Sequence, residues 1–506
     1  MKFEPSENLS NEQVDSGLKL VVKDGLAAEA MATLTGGAFL VSLALHFGAS
    51  NFQIGLLAAL PTLVSIAQFL GIYLVQKHEN RKPITVYASI IARLPLLLIS
   101  ALPFLFPPNI SLYFLIGFLF IHYFFGSLSG CSWTSWLKDL VPEERLGTYF
   151  SNRSRLITIL GVSLSFITAT TIDYVKSNYP QYEINAYSIM FLIGGICGIL
   201  GIIFIAKTPE PKIKTIKNKN LFHLFKNPLK NVNFRNLIIF NSFWAFAINL
   251  AAPFYSVYLL KMLNLPLSYV VGFNILSQVA NIFSIRIWGR YSDKYSNKSI
   301  LKICAPIYLF CILGWTFTTL PGPHVMTIPL LVIIFIFNGI ALSGINLSIS
   351  NIGIKLAPKE GDAIVYLTTR GIITSCAAGI APIIGGFFAD FFATQHLSWN
   401  FEWSGPNGTT VLHFLDLHQW DFFFVVAFLL GLFSLYRLTF VEEKGEVRKR
   451  VIMKDIAAEL TTQLRNNTAM SGIRSFIFVP LSFYTLIKRK TRIARYKKMK
   501  LKMAKQ

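Results

Sequence analysis

The 506-residue chain is 53% hydrophobic, contains 44 Phe and has only 14% charged residues, where a soluble domain carries roughly 25%. With a mean hydropathy of +0.52, this composition excludes an ordinary soluble globular protein. The formal net charge of +22 raises the question of a nucleic-acid partner, which the placement of the charges answers.

The first 25 residues are polar and carry Glu4, Glu7, Glu12 and Asp15, unlike a cleavable signal peptide. Apolar runs of roughly 20 residues, long enough to cross hydrocarbon, then follow one another. The first six lie at approximately 26–48, 52–75, 84–106, 110–137, 156–175 and 185–206. A basic connection, 207–235, separates them from six more at approximately 236–260, 268–288, 300–320, 326–350, 371–393 and 421–440. A basic tail, 441–506, closes the chain. The predicted fold is an all-α integral membrane protein whose twelve transmembrane helices form two six-helix bundles, 26–206 and 236–440.

With the N-terminus inside, the connection after the sixth span holds Lys207, Lys212, Lys214, Lys217, Lys219, Lys226, Lys230 and Arg235, and the tail holds 17 of the 47 Lys and Arg. The external connections hold only Lys176 and Lys261, and the long external segment Ala393–Trp420 holds none. This is the positive-inside bias that orients helical membrane proteins. The charge is topological, both termini are expected in the cytoplasm, and no nucleic-acid partner is expected. The basic, partly apolar tail suits an inner leaflet containing anionic lipid or a solvated segment. The five Cys fall inside the spans without ligand-like spacing; neither a metal nor a cofactor is expected. Asn407-Gly408-Thr409 fits a glycosylation acceptor.

The halves repeat. Shifted by 216 positions, "DLVPEERLGTYF" aligns with "KLAPKEGDAIVY", setting Leu140 on Leu356, Pro142 on Pro358, Glu144 on Glu360 and Phe150 on Tyr366. Gly55 falls near Gly272 and Gly71 near Gly289. Over roughly residues 20 to 440 the chain resembles the major facilitator superfamily. The family's Gly-x-x-x-Asp loop with following basic residues is matched by Gly289, Asp293, Lys294 and Lys298. The first copy keeps Gly71, Arg81 and Lys82 but has Val75 near the position of the acid. The resemblance implies a gating role for Gly71, Gly289, Asp293 and Lys298, with Asp293 accepting from basic donors or facing a helix N-terminus. A solvated, topology-anchoring loop is the alternative.

Polar groups inside hydrocarbon tend to face a bundle interior or a cavity. Asn274, Gln278 and Asn281 share one face of the eighth span; Asn241, Trp244 and Asn249 lie on the seventh, Asn338 on the tenth and His122 on the fourth. These eight residues are the predicted substrate contacts, with interhelical hydrogen bonding as the alternative. Glu29, Arg93 and His122 are the candidates for proton coupling; the other reading is a Glu29–Arg93 ion pair beside a satisfied core histidine. "GIAPIIGG", Gly379 to Gly386, is similar to a Gly-Pro pattern that exporters of the family carry in span five.

No metalloprotease, phosphate-loop or nucleophile-elbow motif is present, and no enzyme is expected. The expectation is a monomeric secondary transporter of a small polar organic solute in a bacterial inner membrane, with proton coupling a hypothesis. Rival readings are a lipid or lysophospholipid flippase, a membrane-embedded transferase and a non-transporting sensor.

Overall fold

The computed structural model describes residues 5–6, 9–142, 145–212, 227–319, 325–358, 363–405, 408–418, 420–443, 445–447, 451–452 and 455. It separates into two units, Met1–Lys444 and Gly445–Gln506. Glu144 and Glu360, Asn407, most of the basic linker and the tail beyond 455, with the anionic-lipid contact expected of it, lie outside the described residues.

Twelve helices are long and apolar enough to cross a membrane. In chain order they are α1 (Asn11–His46), α2 (Asn51–His78), α3 (Arg81–Leu105), α4 (Pro108–Leu140), α5 (Gly147–Asn178) and α6 (Pro180–Lys207). The second six are α7 (Val232–Met262), α8 (Leu267–Lys294), α9 (Asn297–Thr318), α10 (Thr327–Leu356), α11 (Val365–Phe392) and α12 (Trp420–Leu438). The end carrying residue 11 is the near face; successive helices alternate between it and the far face.

α1 begins 15 residues before its apolar run. Ser10 accepts from the Gln13 amide at 3.2 Å while Gln13 accepts from the Ser10 amide at 3.0 Å. This reciprocal cap satisfies two otherwise orphan donors, and hydropathy gives no sign of it. α2 starts with the same device, Ser50 and Gln53. The segment between α11 and α12 departs from the all-α expectation. It folds as an antiparallel hairpin of β1 (His396–Gly405) and β2 (Gly408–His418), paired from His396↔His418 to Gly405↔Gly408 with an irregularity at Trp399/Asn400.

The packing repeats with the sequence. In the first half α1 packs on α5 and α6, α3 on α4 and α6, and α2 on α4; in the second α7 packs on α11 and α12, α9 on α10 and α12, and α8 on α10. The most extensive crossings between the halves are α2 with α11 and its counterpart α5 with α8, with smaller contacts of α1 with α7 and α8 and of α2 with α7. On the near side of the first half a core of Leu18, Val21, Val86, Trp136, Leu140 and Ile205 fills the space among α1, α3, α4 and α6.

Charged collars close the near end of each half. Glu210, just after α6, accepts from the Arg81 and Lys82 amides at 2.7 and 3.0 Å, capping α3, and pairs with the Arg81 guanidinium at 3.2 Å. Arg81 also pairs with Asp139 at the end of α4. In the second half Glu443, just after α12, accepts from the Lys298 amide at 2.7 Å and from Asn297 Nδ2 at 2.8 Å, and Lys355 at the end of α10 lies 3.5 Å away. Asn297, Lys298 and Lys355 are the 216-shifted counterparts of Arg81, Lys82 and Asp139. The carboxylate and the Lys whose amide it accepts from are kept in both copies, while Arg81 is replaced by neutral Asn297 and Asp139 by Lys355.

The side chains of Arg81 and Glu210 are both 0% exposed. Removing one member of a buried pair leaves the other charge uncompensated, at a cost of roughly 3–5 kcal/mol. Glu210→Gln should therefore lower the thermal unfolding midpoint of the detergent-purified protein clearly, whereas Glu12→Gln on the exposed start of α1 should not. Equal midpoints for the two variants would contradict the buried-collar account.

Candidate functional site

A cavity of about 520 Å³ lies between the two halves. Its walls come from α1 and α2 on one side and α7 and α8 on the other, with Tyr123 of α4 and Ser165 of α5. Two helix breaks border it. α1 is interrupted at Gly36, after which Gly37 adopts φ +55°, a conformation that glycine takes without a Cβ penalty. α7 is interrupted at Ala252 and Pro253; proline supplies no amide for the helical ladder. Gly36 and Gly37 fall on Ala252 and Pro253 by the 216-position shift, and all four line the cavity. Interrupted helices at matching positions of two repeats mark the central site in repeat-built transporters.

α8 supplies the amides. Asn274 and Gln278 are exposed to the cavity. Asn274 donates to the Val270 carbonyl at 3.0 Å, which leaves its carbonyl oxygen available. Gln278 makes no hydrogen bond to the described residues. Asn281, one turn nearer the near face, is half-buried and outside the lining. Ser256 and Thr33 complete the polar wall.

The other predicted contacts lie away from this cavity. Asn241 is 2% exposed, and both of its amide heteroatoms lack a partner. Trp244 is packed between Phe240 and Tyr308 at ring distances of 6.3 and 5.9 Å. Asn249 donates to its own helix at Ala245, 2.8 Å away. Asn338 is buried with an unpartnered Oδ1. His122 contacts the Ala92 carbonyl through Nδ1 at 2.7 Å, as a satisfied core histidine would.

Arg93 does not pair with Glu29. It lies 3.7 Å from Asp24, and its Nη1 donates to the Gly198 carbonyl at 2.7 Å. Asp24 lies five residues before Glu29, more than a full helical turn, so the guanidinium meets one carboxylate and not the other. Glu29 instead faces α5, where a side chain on Gly161 would collide with it, and its Oε1 is 3.5 Å from the Thr33 hydroxyl. Thr33 lines the cavity, so Glu29 sits one turn from the wall.

The predicted gating residues separate. Gly71 lies close to the Leu128 carbonyl of α4, whereas a Cβ on Gly289 would meet only the Leu347 side chain, at ordinary contact distance. Asp293 is exposed and makes no hydrogen bond or ion pair with the described residues. Lys298 is engaged inside its own half, its Nζ donating to the Thr439 carbonyl at 3.3 Å and its amide to Glu443.

The seam between the halves uses residues that the sequence reading passed over. Asp390 of α11 accepts from the Asn51 and Phe52 amides at 3.1 and 2.9 Å, capping α2. Asp173 of α5 accepts from the Leu267 and Ser268 amides at 2.9 and 2.7 Å, capping α8. Asn51 and Leu267 are 216 positions apart, Asp173 and Asp390 217. Each carboxylate crosses from one half to the other and meets the positive end of a helix. "GIAPIIGG" completes the seam: Gly379 packs on Thr62 and Leu63, and Gly386 on Asn51 and Phe52, with no space for a Cβ. On the near side the same two helices part around a gap of about 300 Å³ between Phe69 and Ile72 of α2 and Thr368 and Ile372 of α11. The halves meet at the far face and diverge toward the near face.

The sequence profile of the Major Facilitator Superfamily matches residues 25–366. The chain belongs to this family. No curated protein matches it. Among solved structures, the nucleoside transporter NupG superposes with a TM-score of 0.61 at 14% identity, over 86% of this chain and 100% of that one. An inward-facing bacterial homologue of the iron transporter ferroportin gives 0.60 at 12% identity over 86% and 100%. The inward-open xylose transporter XylE from E. coli gives 0.58 at 13% identity over 87% and 99%. These likenesses establish a shared fold, and family and fold together identify a multi-pass membrane transporter.

Asp390→Asn or Asp173→Asn weakens two charge-assisted hydrogen bonds across the far seam. Bonds to charged groups contribute about 1.5–3 kcal/mol, so opening of that seam should rise at least about tenfold. Labelling of a cysteine at Val41 by an impermeant thiol reagent applied from the far side measures it. Unchanged labelling in both variants would show that the caps do not hold the seam.

Proposed function

We propose that the chain is a secondary active transporter that carries a small polar organic solute by alternating access. The bundles 26–206 and 236–440 are the moving bodies, linked by 207–235. The observation that carries this reading is the pair of repeat-related helix breaks on a cavity that is closed at one face and parted at the other. Such a cavity becomes a carrier when the two seams exchange.

The basic connections and the tail suit a near face in the cytoplasm of a bacterial inner membrane, with both termini inside. Three neighbours of the same fold, described as a nucleoside transporter, a homologue of an iron transporter and a xylose transporter, are compatible with many cargoes, so the cavity itself has to supply the choice. One copy of the chain contains the whole cavity, which suits a monomer.

Glu29 is the coupling residue in this reading. A carboxylate one turn from the cavity and linked to its wall through Thr33 can exchange a proton when the near side is open. His122 and Arg93, tied to Ala92 and to Asp24 with Gly198, act as structural supports of that helix group.

The test is metabolite accumulation in intact cells expressing the wild type, Gln278→Ala or Glu29→Gln, with and without a protonophore. One solute should change with the wild type. Gln278→Ala should weaken its half-saturation about tenfold, the loss of one hydrogen bond of about 1–1.5 kcal/mol. Glu29→Gln should keep exchange and lose protonophore-sensitive accumulation. A change in lipid composition or signalling output without any change in a solute would sink the transport reading.

A further inference from the structure

We infer that the transported solute carries no net charge and is two-sided, with an apolar flank held by α2 and an edge that pairs with the amides of α8. This rests on the transport reading and adds the chemical class of the cargo.

Among the described residues, none that lines the cavity is Asp, Glu, Lys, Arg or His. Asp24 and Arg93 face each other, and Glu29 turns its carboxylate toward α5, reaching the wall only through the Thr33 hydroxyl. A charged solute would give up its hydration here and meet no counter-charge on the cavity wall itself, an unfavourable exchange inside a membrane. An uncharged solute avoids that cost.

The walls differ in kind. Ile54, Leu57, Ala58 and Pro61 of α2 form an apolar surface. Across from them Gln278 offers two amide donors and an acceptor, none of them partnered among the described residues, and Asn274 offers a carbonyl oxygen. An amide that a bound solute covers and leaves unmatched is expensive, so the solute must present both a donor and an acceptor along one edge. A lactam, a carboxamide, an N-acyl group or a pair of neighbouring hydroxyls does so; a hydrocarbon does not.

The experiment uses the full-length protein purified in detergent and a small-molecule extract of the expression host. Ion exchange divides the extract into uncharged, anionic and cationic fractions, with amino acids retained on the cation exchanger at low pH. Thermal unfolding is followed for the wild type, Gln278→Ala and Gln278→Glu as each fraction is titrated in. Binding to the folded state raises the midpoint in proportion to ligand occupancy. The uncharged fraction should stabilise the wild type. Gln278→Ala should need about ten times more of it, and Gln278→Glu, which has the same shape but adds a charge, should respond least.

Stabilisation by the anionic or cationic fraction alone would overturn the charge assignment and leave the transport reading standing. Equal responses of all three proteins to the uncharged fraction would remove the amide edge from the inference. No response to any fraction would count against a solute carrier altogether, and the inference would fall with it.

Discussion

The arrangement of the two halves depends on two carboxylates placed at helix beginnings that belong to the other half. Asp390 serves α2 and Asp173 serves α8, each through two backbone amides. Hydrocarbon gives two apolar bundles little reason to prefer one another over lipid, so contact between them has to come from close packing and oriented polar groups. The far seam contains both. Glycines of α11 let it lie against α2 without an intervening Cβ, and the carboxylates fix the register of the helix ends. Because the two caps are related by the repeat, they act on opposite sides of the cavity, and neither half can tilt away without breaking one of them.

The near face is built on the opposite principle. Its strongest polar contacts lie within halves. Glu210 gathers Arg81 and the start of α3; Glu443 gathers Asn297, Lys298 and the start of α9. Each bundle therefore keeps its shape at the end where the halves have separated. Rigid bodies with one shared seam and one open end are the mechanical requirement for alternating access. Family membership supplies the expectation of such motion, and the residues named here show what would have to break and form.

Much of this was legible in the chain. Hydrophobic runs fixed the number of membrane helices because a bilayer demands about twenty apolar residues irrespective of tertiary structure. The 216-position repeat was visible in a few Leu, Pro and Gly residues and later proved to organise the collars, the caps and the helix breaks. Helix starts were less legible: Ser10 and Gln13 are polar because they cap, and hydropathy cannot distinguish a capped helical turn from a loop. In the candidate site, helical spacing groups Asn274, Gln278 and Asn281 on one face of one helix; the first two line the cavity and Asn281 does not. Spacing could not tell that Asn241 and Asn338 face packed neighbours, because which helix lies opposite is decided by contacts far away in sequence. The caps were hidden for the same reason: Asp390 and Asn51 are 339 positions apart, and an isolated Asp at a helix end carries no local signature. The alternative of a Glu29–Arg93 pair fails because rotation about α1 presents Asp24, and not Glu29, to the guanidinium.

The central claim is that the far seam and the near opening exchange as one event. Pulsed electron paramagnetic resonance on two doubly labelled proteins measures this directly. One carries labels at Lys77 and Lys294 on the near face, the other at Asn109 and Met326 on the far face. On replacing both seam aspartates by Asn, the account predicts that the near distance shortens while the far distance lengthens, with matching populations. A far distance that stays fixed while the near one varies, or two distances that ignore the seam altogether, would contradict it.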